Sequence, residues 1–420
     1  MQSTGPESGV ANPVLSSLMQ DQREAAILLG KPQEEQQKLG YFHTLHEILQ
    51  QPATWLRTGD AVSGRAGQLA AALKGAQLLM LTGSGSSKYA GECLRLTLQQ
   101  ELGVATETVA GGDLLTHGGA AFGPARPGLL ISLARSGDSP ESVGAVETML
   151  AAEPAIRHLV ITCNAAGKLA TTYADDARAS VVVLDDATND RSLVMTSSFT
   201  NMVLAGRFLG MLHSPQGYRA IAAGLSRTAE SLFGEHFDEL ARLARRDYSR
   251  VMILADGPAV GAACECALKM TEMTAGRVVS LHETYLGLRH GPMSAVGADT
   301  LIVCFLASDP LVRAYEVDLI RELNAKGLGM AKLLFGADIP ADLAGSGDMA
   351  MEPDGLREIG DENLPILNTV VGQLLAFFRC LKEGLKPDSP SDSGVIHRVV
   401  QGFTLHGEAQ SRQLAAKRSE

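Results

Sequence analysis

Aromatic residues, cysteines and positive charge are all scarce in this sequence. Aromatic residues occupy 5% of the 420 positions, and Trp55 is the only tryptophan. The formal net charge is −11, which argues against nucleic acid or an anionic membrane surface as a general partner. No apolar run reaches the ~18 residues of a membrane-spanning helix. We therefore expect neither a nucleic-acid partner nor a membrane partner.

The six cysteines are scattered and lie in apolar segments, which is typical of buried free thiols in a reducing cytoplasm. Cys264 and Cys266 form a single Cys-x-Cys, and without a second pair this spacing does not predict a metal site. The first 20 residues lack a basic segment followed by an apolar one, so we expect no signal peptide. We predict a cytoplasmic protein that uses no metal and no cofactor.

Short apolar runs alternate with helical patterns along most of the chain. Such alternation is typical of a parallel sheet covered by helices on both faces, so we predict an α/β fold. The predicted strands cover residues 77–81, 104–110, 129–134, 158–163 and 180–184, and then 250–255, 278–281, 300–306 and 330–335. A Pro/Gly break at 215–218 and a long helical pattern at 219–246 separate the two groups of strands.

The two groups of strands are similar in pattern, which predicts a duplicated domain. The segment that begins at Leu79 matches the segment that begins at Val251, a period of about 170 residues. The first copy carries serines at its strand ends where the second has Asp256, Gly257 and Pro258, so only the first copy is expected to hold an anion. We predict an N-terminal tail at 1–41, a first domain at 42–215, a second domain at 216–385 and a C-terminal tail at 386–420.

A glycine- and serine-rich turn follows the first predicted strand. Gly83, Gly85, Ser86 and Ser87 come directly before a helical pattern. Amide groups at a helix start favour a phosphate through the helix dipole, and serine hydroxyls add uncharged donors. The third glycine of a dinucleotide fingerprint is replaced by Lys88, and the P-loop spacing is absent. A sugar-phosphate loop, a nucleotide site and a plain strand-to-helix turn all remain open at this point.

A second polar loop follows the third predicted strand and is expected to lie beside the first turn. Ser136, Gly137 and Ser139 could supply donors, and Arg135 could add a charge-assisted hydrogen bond. Ser139 precedes a proline and is also a plausible N-cap. Thr196 opens a later helix, where it could close the same pocket or only cap that helix.

Glu265, Lys269 and Glu272 lie at i, i+4 and i+7, so they share one face of a predicted helix. The spacing alone fits a solvated ion-pair stripe. The neighbouring residues are small or apolar, however, and a sheltered glutamate there would have a raised pKa, which suits a general base. His290 lies before a Gly-Pro turn, in a loop where a histidine is often functional. The His-Glu-x-x-His spacing of a zinc site is missing.

Taken together, these motifs resemble the SIS (sugar isomerase) family. The turn at 83–87 is similar to the Gly-x-Gly-x-Ser loop of that family, and the loop at 135–139 is similar to its second serine-rich loop. Lys269-x-x-Glu272 followed by Arg289-His-Gly-Pro is similar to the isomerase domain of glucosamine-6-phosphate synthase. The AgaS type, which comprises tagatose-6-phosphate ketose/aldose isomerases and galactosamine-6-phosphate deaminases, is most similar at 47–55, 195–200, 283–294 and 398–402.

The resemblance covers about residues 42 to 405 and implies two tandem SIS domains. Each would be a flavodoxin-like αβα sandwich with a parallel sheet, in a homodimer with a shared active site. Glu272 would move a proton between C1 and C2, His290 would assist ring opening within one subunit or across the dimer, and Lys269 would lie beside Glu272. The residues implied to bind the sugar phosphate are Gly85, Ser86, Ser87, Arg135, Ser136, Gly137, Ser139, Thr196 and Gln401.

Two departures from the synthase favour release of ammonia over its incorporation. The residues before 42 do not resemble a glutaminase domain, and position 2 is Gln2 rather than cysteine. The synthase lysine that engages the ketose carbonyl is matched by Gln401. We therefore expect an amino-hexose 6-phosphate, with galactosamine 6-phosphate preferred, to become tagatose 6-phosphate and ammonia. The alternatives are isomerisation without deamination, a glucosamine substrate, a non-catalytic phosphosugar sensor and a nucleotide-dependent dehydrogenase.

Overall fold

A computed structural model describes residues 13–391, 394–400 and 404–406, and this part of the chain forms two parallel five-stranded sheets. The first sheet consists of β1 (Leu78–Gly83), β2 (Ala105–Ala110), β3 (Gly128–Ala134), β4 (Ile156–Thr162) and β5 (Ala179–Val183). The second consists of β6 (Arg250–Leu254), β7 (Val279–Glu283), β8 (Thr300–Phe305), β9 (Ala331–Phe335) and β10 (Met349–Met351). The strand orders are β2-β1-β3-β4-β5 and β7-β6-β8-β9-β10, so the two sheets have the same topology.

Helices cover the faces of both sheets. Those up to the end of the first sheet are α1 (Pro13–Asp21), α2 (Arg23–Leu29), α3 (Gln33–Leu39), α4 (Phe42–Leu49), α5 (Gln51–Ser63), α6 (Ala66–Leu73), α7 (Ser86–Leu102), α8 (Gly111–His117), α9 (Pro140–Ala152) and α10 (Lys168–Thr171). The later ones are α11 (Ser197–Arg207), α12 (Pro215–Ala244), α13 (Ala259–Met273), α14 (Tyr285–Leu288), α15 (Pro310–Ala325) and α16 (Leu364–Lys382). Short 3-10 helices lie at Gly118–Ala121, Asp186–Thr188, Phe208–Met211, Pro292–Ala295 and Leu356–Glu358.

Each of the nine strands predicted from the sequence overlaps an observed strand, and the α/β class with parallel sheets is confirmed. The central strands β1, β3 and β8 are buried along their whole length, because helices cover a parallel sheet on both faces. Strand β10 is not predicted by the sequence, since three residues are too few to show a periodic pattern.

The carboxyl ends of β1 and β3 lie side by side. The two strands pair in parallel, with Thr82 opposite Ser132, so the turns that follow Gly83 and Ala134 open at the same edge of the sheet. Parallel sheets bind ligands at this edge, where the order of the strands reverses. The second sheet has the corresponding edge after β6 and β8.

Helices α13 and α16 join the two halves. α13 packs against α7 of the first half and against α16, which also contacts α4 and α12. In the described part of the chain, α16 is the one helix long and apolar enough to cross a membrane by length and composition, and 94% of its apolar window is buried inside the protein. This burial is that of a core helix. The packing of α13 on α7 brings the second half against the helix that follows β1.

The segment that we predict as an N-terminal tail contains three helices from Pro13 onward. Asp238 of α12 accepts hydrogen bonds from the amides of Arg23 (2.9 Å) and Glu24 (2.8 Å), which fixes α2 on α12. At the start of the predicted C-terminal tail, Asp388 accepts a 2.7 Å hydrogen bond from the amide of Thr44 in α4. Both segments therefore pack on helices of the main body, and the domain boundaries at 41, 215 and 385 stay predictions.

Candidate active site

The turn between β1 and α7 is the predicted phosphate loop, and its backbone requires glycine at two positions. A Cβ at Gly83 would lie 2.5 Å from the Cβ of Ser87, so only glycine fits there, and Gly85 has a φ of +56° that glycine adopts without strain. Helix α7 then begins at Ser86, and two of its first amides already donate within the turn, that of Ser87 to the carbonyl of Ser84 (3.2 Å) and that of Lys88 to the carbonyl of Gly85 (3.0 Å). Ser86 and Ser87 are both buried, so their hydroxyls form a sheltered, uncharged polar lining of the turn.

The loop after β3 lies beside this turn and begins α9. Ser139 directly precedes Pro140, the first residue of α9, which confirms its predicted position at the helix start. Its hydroxyl donates to the carboxylate of Glu141 (2.7 Å) rather than accepting from a helix amide. Ser136 accepts a 3.3 Å hydrogen bond from the amide of Asp138, and Gly137 has a φ of +67°. Phosphate binding by Ser136, Gly137 and Ser139 stays a prediction.

Arg135 holds backbone segments together. Its NH1 group donates to the carbonyls of Ser192 (3.3 Å), Leu193 (3.0 Å) and Val194 (3.2 Å), and its NH2 group donates to the carbonyl of Arg398 (2.7 Å). Among the described residues, Nε is the one buried nitrogen of this side chain without a hydrogen-bond partner. These contacts differ from the phosphate bond that the sequence predicts, because they occupy the guanidinium with neutral carbonyls.

A carboxylate of the chain itself occupies the start of α11. Asp190 accepts hydrogen bonds from the amides of Thr196 (2.7 Å), Ser197 (3.0 Å) and Ser198 (2.9 Å), and from the hydroxyl of Thr196 (3.1 Å). Glu47 accepts further hydrogen bonds from the amides of Arg191 and Ser192. Thr196 therefore belongs to a capped helix start, and its contact with substrate stays a prediction.

Lys269 on α13 connects the second half of the chain to the serine turn of the first. Its ammonium donates to the hydroxyl of Ser86 (3.2 Å) and to the carboxylate of Glu272, and it lies 3.2 Å from Oε1 of Glu265. Lys269 and Glu265 are completely buried, whereas the side chain of Glu272 is 22% exposed. The predicted i, i+4, i+7 face is thus an internal ion cluster, and its solvent-facing member is Glu272.

Burial and neighbouring charges shift the pKa values of Glu265 and Lys269. Burial raises the pKa of Glu265 to about 7, although the neighbouring Lys269 acts in the opposite direction. Burial would lower the pKa of Lys269, but the charges of Glu265 and Glu272 outweigh it and the pKa is raised. Burial also lowers the pKa of Arg135, against the charges of Asp190 and Glu272. Glu272 therefore lies within electrostatic range of both the serine turn and the loop after β3.

The contacts of this cluster do not include His290. His290 is exposed, and its amide donates to the carbonyl of Gly287 in the turn after α14. Gln401 lies outside the residues that the structure describes. Within one chain, the structure thus brings together Ser86, Lys269 and Glu272, and the role of His290 stays a prediction.

Three acidic residues of this region are absent from the site set that the sequence predicts. Glu265 could have been included from its i, i+4 spacing to Lys269. Asp190 and Glu47 gave no such signal. Glu47 binds a loop that begins 144 positions away, and that contact depends on the tertiary fold.

Comparisons with known proteins identify relatives of this chain. No protein-family model matches the chain. The chain is 36% identical over 393 residues to "D-galactosamine-6-phosphate deaminase AgaS" of Shewanella sp. (strain ANA-3), covering 92% of this chain and 97% of the relative. It is 34% identical over 370 residues to the protein of the same name in Escherichia coli O157:H7, covering 86% and 95% of the two chains.

Solved structures lead to the same group of proteins. The crystal structure of tagatose-6-phosphate ketose/aldose isomerase from Escherichia coli superposes with a TM-score of 0.77 at 31% identity, over 86% of this chain and 96% of that one. The C-terminal domain of glucosamine-fructose-6-phosphate aminotransferase from Francisella tularensis shares the fold, with a TM-score of 0.69 at 17% identity over 83% and 98% of the two chains. From its close relatives, the chain belongs to the AgaS family of enzymes.

Proposed function

We propose that this chain converts an amino-hexose 6-phosphate, with galactosamine 6-phosphate as the first candidate, to tagatose 6-phosphate and ammonia. The relatives that carry the deaminase name support this reaction. We also propose that the two sheets belong to tandem SIS domains and that the protein acts in the cytoplasm. The phosphate would lie against the turn at 83–87 and the loop at 135–139.

One observation carries the proposal: a single ammonium group bridges the serine turn and a partly exposed carboxylate. Lys269 contacts the hydroxyl of Ser86 and the carboxylate of Glu272 at once. A ligand whose phosphate is held by the turn would therefore extend its other carbons towards Glu272. Proton transfer needs hydrogen-bond range, and this arrangement brings a base into range of a ligand anchored at the turn.

In the proposed chemistry, Glu272 is the general base for the open-chain substrate. It removes the proton from C2 while O1 takes up a proton, which gives an enolamine, and it then returns the proton to C1 while the amino group loses one. The aldehyde carbon becomes the hydroxymethyl group of the ketose, and C2 becomes a ketimine. Water then adds to C2 and ammonia leaves, so one molecule of water is consumed for each ammonia released. Lys269 would hold the carboxylate of Glu272 in place.

We propose that His290 opens the sugar ring in the active site of a partner subunit. His290 is exposed, and β7, which is an edge strand, carries the exposed apolar residues Val279 and Leu281 nearby in the chain. Leu286 of α14 is exposed as well. Apolar side chains on an exposed sheet edge favour association with a second copy. A homodimer with a shared active site would supply the imidazole that the cluster around Glu272 lacks within the described residues of one chain.

An assay that measures both products tests the reaction. Purified protein is given galactosamine 6-phosphate or glucosamine 6-phosphate, and ammonia and ketose phosphate are quantified separately. We expect one ammonia per ketose, with faster turnover of the galactosamine epimer. Turnover of neither amino sugar would contradict the proposed deamination, and faster turnover of glucosamine 6-phosphate would contradict the proposed substrate preference.

Ketose/aldose isomerisation without deamination is the second candidate, because a solved relative at 31% identity carries that name. It uses the same proton transfer but starts from a sugar with a hydroxyl group at C2. Interconversion of tagatose 6-phosphate and galactose 6-phosphate, with no ammonia from the amino sugars, would favour it. Binding of these phosphates without any turnover would favour a sensor, and a thermal shift with NAD(P) alone would favour a dehydrogenase.

A further inference from the structure

A small cavity lies at the carboxyl edge of the second sheet, at the position that corresponds to the serine turn of the first. It has a volume of about 60 Å³, which is enough for a group of a few heavy atoms. Its walls combine carboxylates with apolar side chains. The lining includes Asp256, Glu316, Asp361, Phe305, Val312 and Leu364.

The backbone amides of the loop after β8 already have carboxylate partners. The amide of Ala307 donates to Oε2 of Glu316 (2.9 Å), and the amides of Ser308 (2.6 Å) and Asp309 (2.9 Å) donate to Asp361. A phosphate would meet two carboxylates here and no available donors from these amides. The cavity is therefore suited to a ligand that donates hydrogen bonds and carries positive charge.

One oxygen of Glu316 is buried without a partner. Glu316 has an exposed fraction of 0%, it lines the cavity, and its Oε1 has no hydrogen-bond partner among the described residues. Arg313 does not supply one, because its Nε lies 3.6 Å from Oε2 and donates to the carbonyl of Ala307, while its NH1 donates to the carbonyl of Ala337. A buried polar atom without a partner costs about 1–3 kcal/mol, so a donor that fills the cavity would be stabilised there.

We propose that this cavity binds ammonium or a small protonated primary amine, with Glu316 and Asp256 as its acceptors. An N–H group can satisfy Oε1 of Glu316 directly, and the apolar walls of the cavity accommodate a methyl group. In the described part of the chain, no group of three His, Cys, Asp or Glu side chains is placed to hold a metal ion, so an N–H donor fits the site better than a metal ion does.

Proton release accompanies this binding. Burial raises the pKa of Glu316 to about 8, so its carboxyl is mostly protonated near neutral pH, and entry of a cation displaces that proton. The charged groups that face it are Arg313, Asp256 and Asp361, and burial also raises the pKa of Asp256. Binding heats measured in two buffers with different ionisation enthalpies should therefore differ.

Thermal melting at constant ionic strength tests the site. Potassium chloride is replaced stepwise by ammonium chloride or methylammonium chloride, and the melting temperature is recorded. A ligand that binds only the native state raises the melting temperature with concentration. We expect a rise with both amines relative to potassium, which has the same charge but no N–H group. No rise with either amine relative to potassium overturns the proposal, because a general cation site would respond equally to potassium.

Substitutions of the residues that line the cavity test whether the amine binds there. Glu316→Gln keeps the shape of the side chain and removes its charge, and it should weaken apparent amine binding roughly tenfold or more. Asp318→Asn is the matched control, because Asp318 lies exposed on the same helix α15. If Glu316→Gln does not fold, Asp256→Asn takes its place with the same expectation. Retention of full amine binding in the folded variant places the amine elsewhere and overturns the assignment.

Discussion

The carboxyl edges of the two sheets have the same backbone and opposite chemistry. Gly85 and Gly257 occupy matching turns with φ of +56° and +58°, and Ser139 and Asp309 each precede the proline that begins the next helix. In the first half the turn is lined with hydroxyls. In the second half, carboxylates of the chain itself bind the loop amides. The two edges therefore share a backbone path and differ in the side chains that line them.

Loss of Glu272 is expected to have the largest effect, and it tests whether the two halves work on one ligand. Glu272→Gln should lower kcat by about 10²–10⁴, because a positioned general base contributes a factor of that size. Steady-state kinetics of ammonia release measure it. Asp318→Asn, in an exposed position of the second half, should leave kcat unchanged. Near-normal turnover of Glu272→Gln would mean that α13 does not supply the base.

The buried ion cluster should give stability a particular pH dependence. Burial raises the pKa of Glu265 from the ordinary 4.5 to about 7, so the native state binds this proton more tightly than the unfolded state does. The favourable contribution of this protonation to the free energy of unfolding is complete below about pH 4.5. It is lost as the pH rises through about 7, and the total loss is at most about 3 kcal/mol. Glu265→Gln should flatten this part of the curve of unfolding free energy against pH, measured by urea denaturation. Parallel curves for the two proteins would show that Glu265 does not titrate in this range.

Removal of one hydroxyl from the serine turn should affect binding more than chemistry. Ser87→Ala should raise KM for the sugar phosphate by roughly tenfold and leave kcat nearly unchanged, since a phosphate contact is made in both the ground state and the transition state. Ser308→Ala removes a hydroxyl from the corresponding edge of the second sheet and serves as the control. Equal KM values for both variants would remove the distinction between the two edges.

The smallest expected effect comes from removing a carboxylate that binds loop amides at the carboxyl edge of the second sheet. Asp361→Ala removes the acceptor of the Ser308 and Asp309 amides and should lower the free energy of unfolding by about 1 kcal/mol. Inorganic phosphate should restore part of this lost unfolding free energy in Asp361→Ala. The comparison variant is Ser87→Ala, which retains Asp361, and phosphate should stabilise its second edge less. A variant that phosphate does not stabilise would show that released amides alone do not make an anion site.

Local patterns in the sequence were sufficient to predict the strands, the serine turn and the face of α13. Buried parallel strands appear as apolar runs, and Lys269 and Glu272 share a face through helix geometry alone. The contacts of Arg135 could not be predicted, because the carbonyls it binds lie 57 to 263 positions away. The capping of α11 by Asp190 depends on a loop conformation that Glu47 fixes from α4. Pattern and propensity describe single elements, whereas these contacts arise when elements pack.

The central position of α16 has a consequence for synthesis of the protein. This helix belongs to one apolar cluster that includes residues from Leu18 to Leu385, and it contacts helices from both halves. A nascent chain that has passed the first sheet therefore lacks the surface on which α4 and α12 come to rest. Until residues 364–382 have left the ribosome, those helices expose apolar faces, and during that interval the growing chain is most exposed to aggregation and most dependent on chaperones.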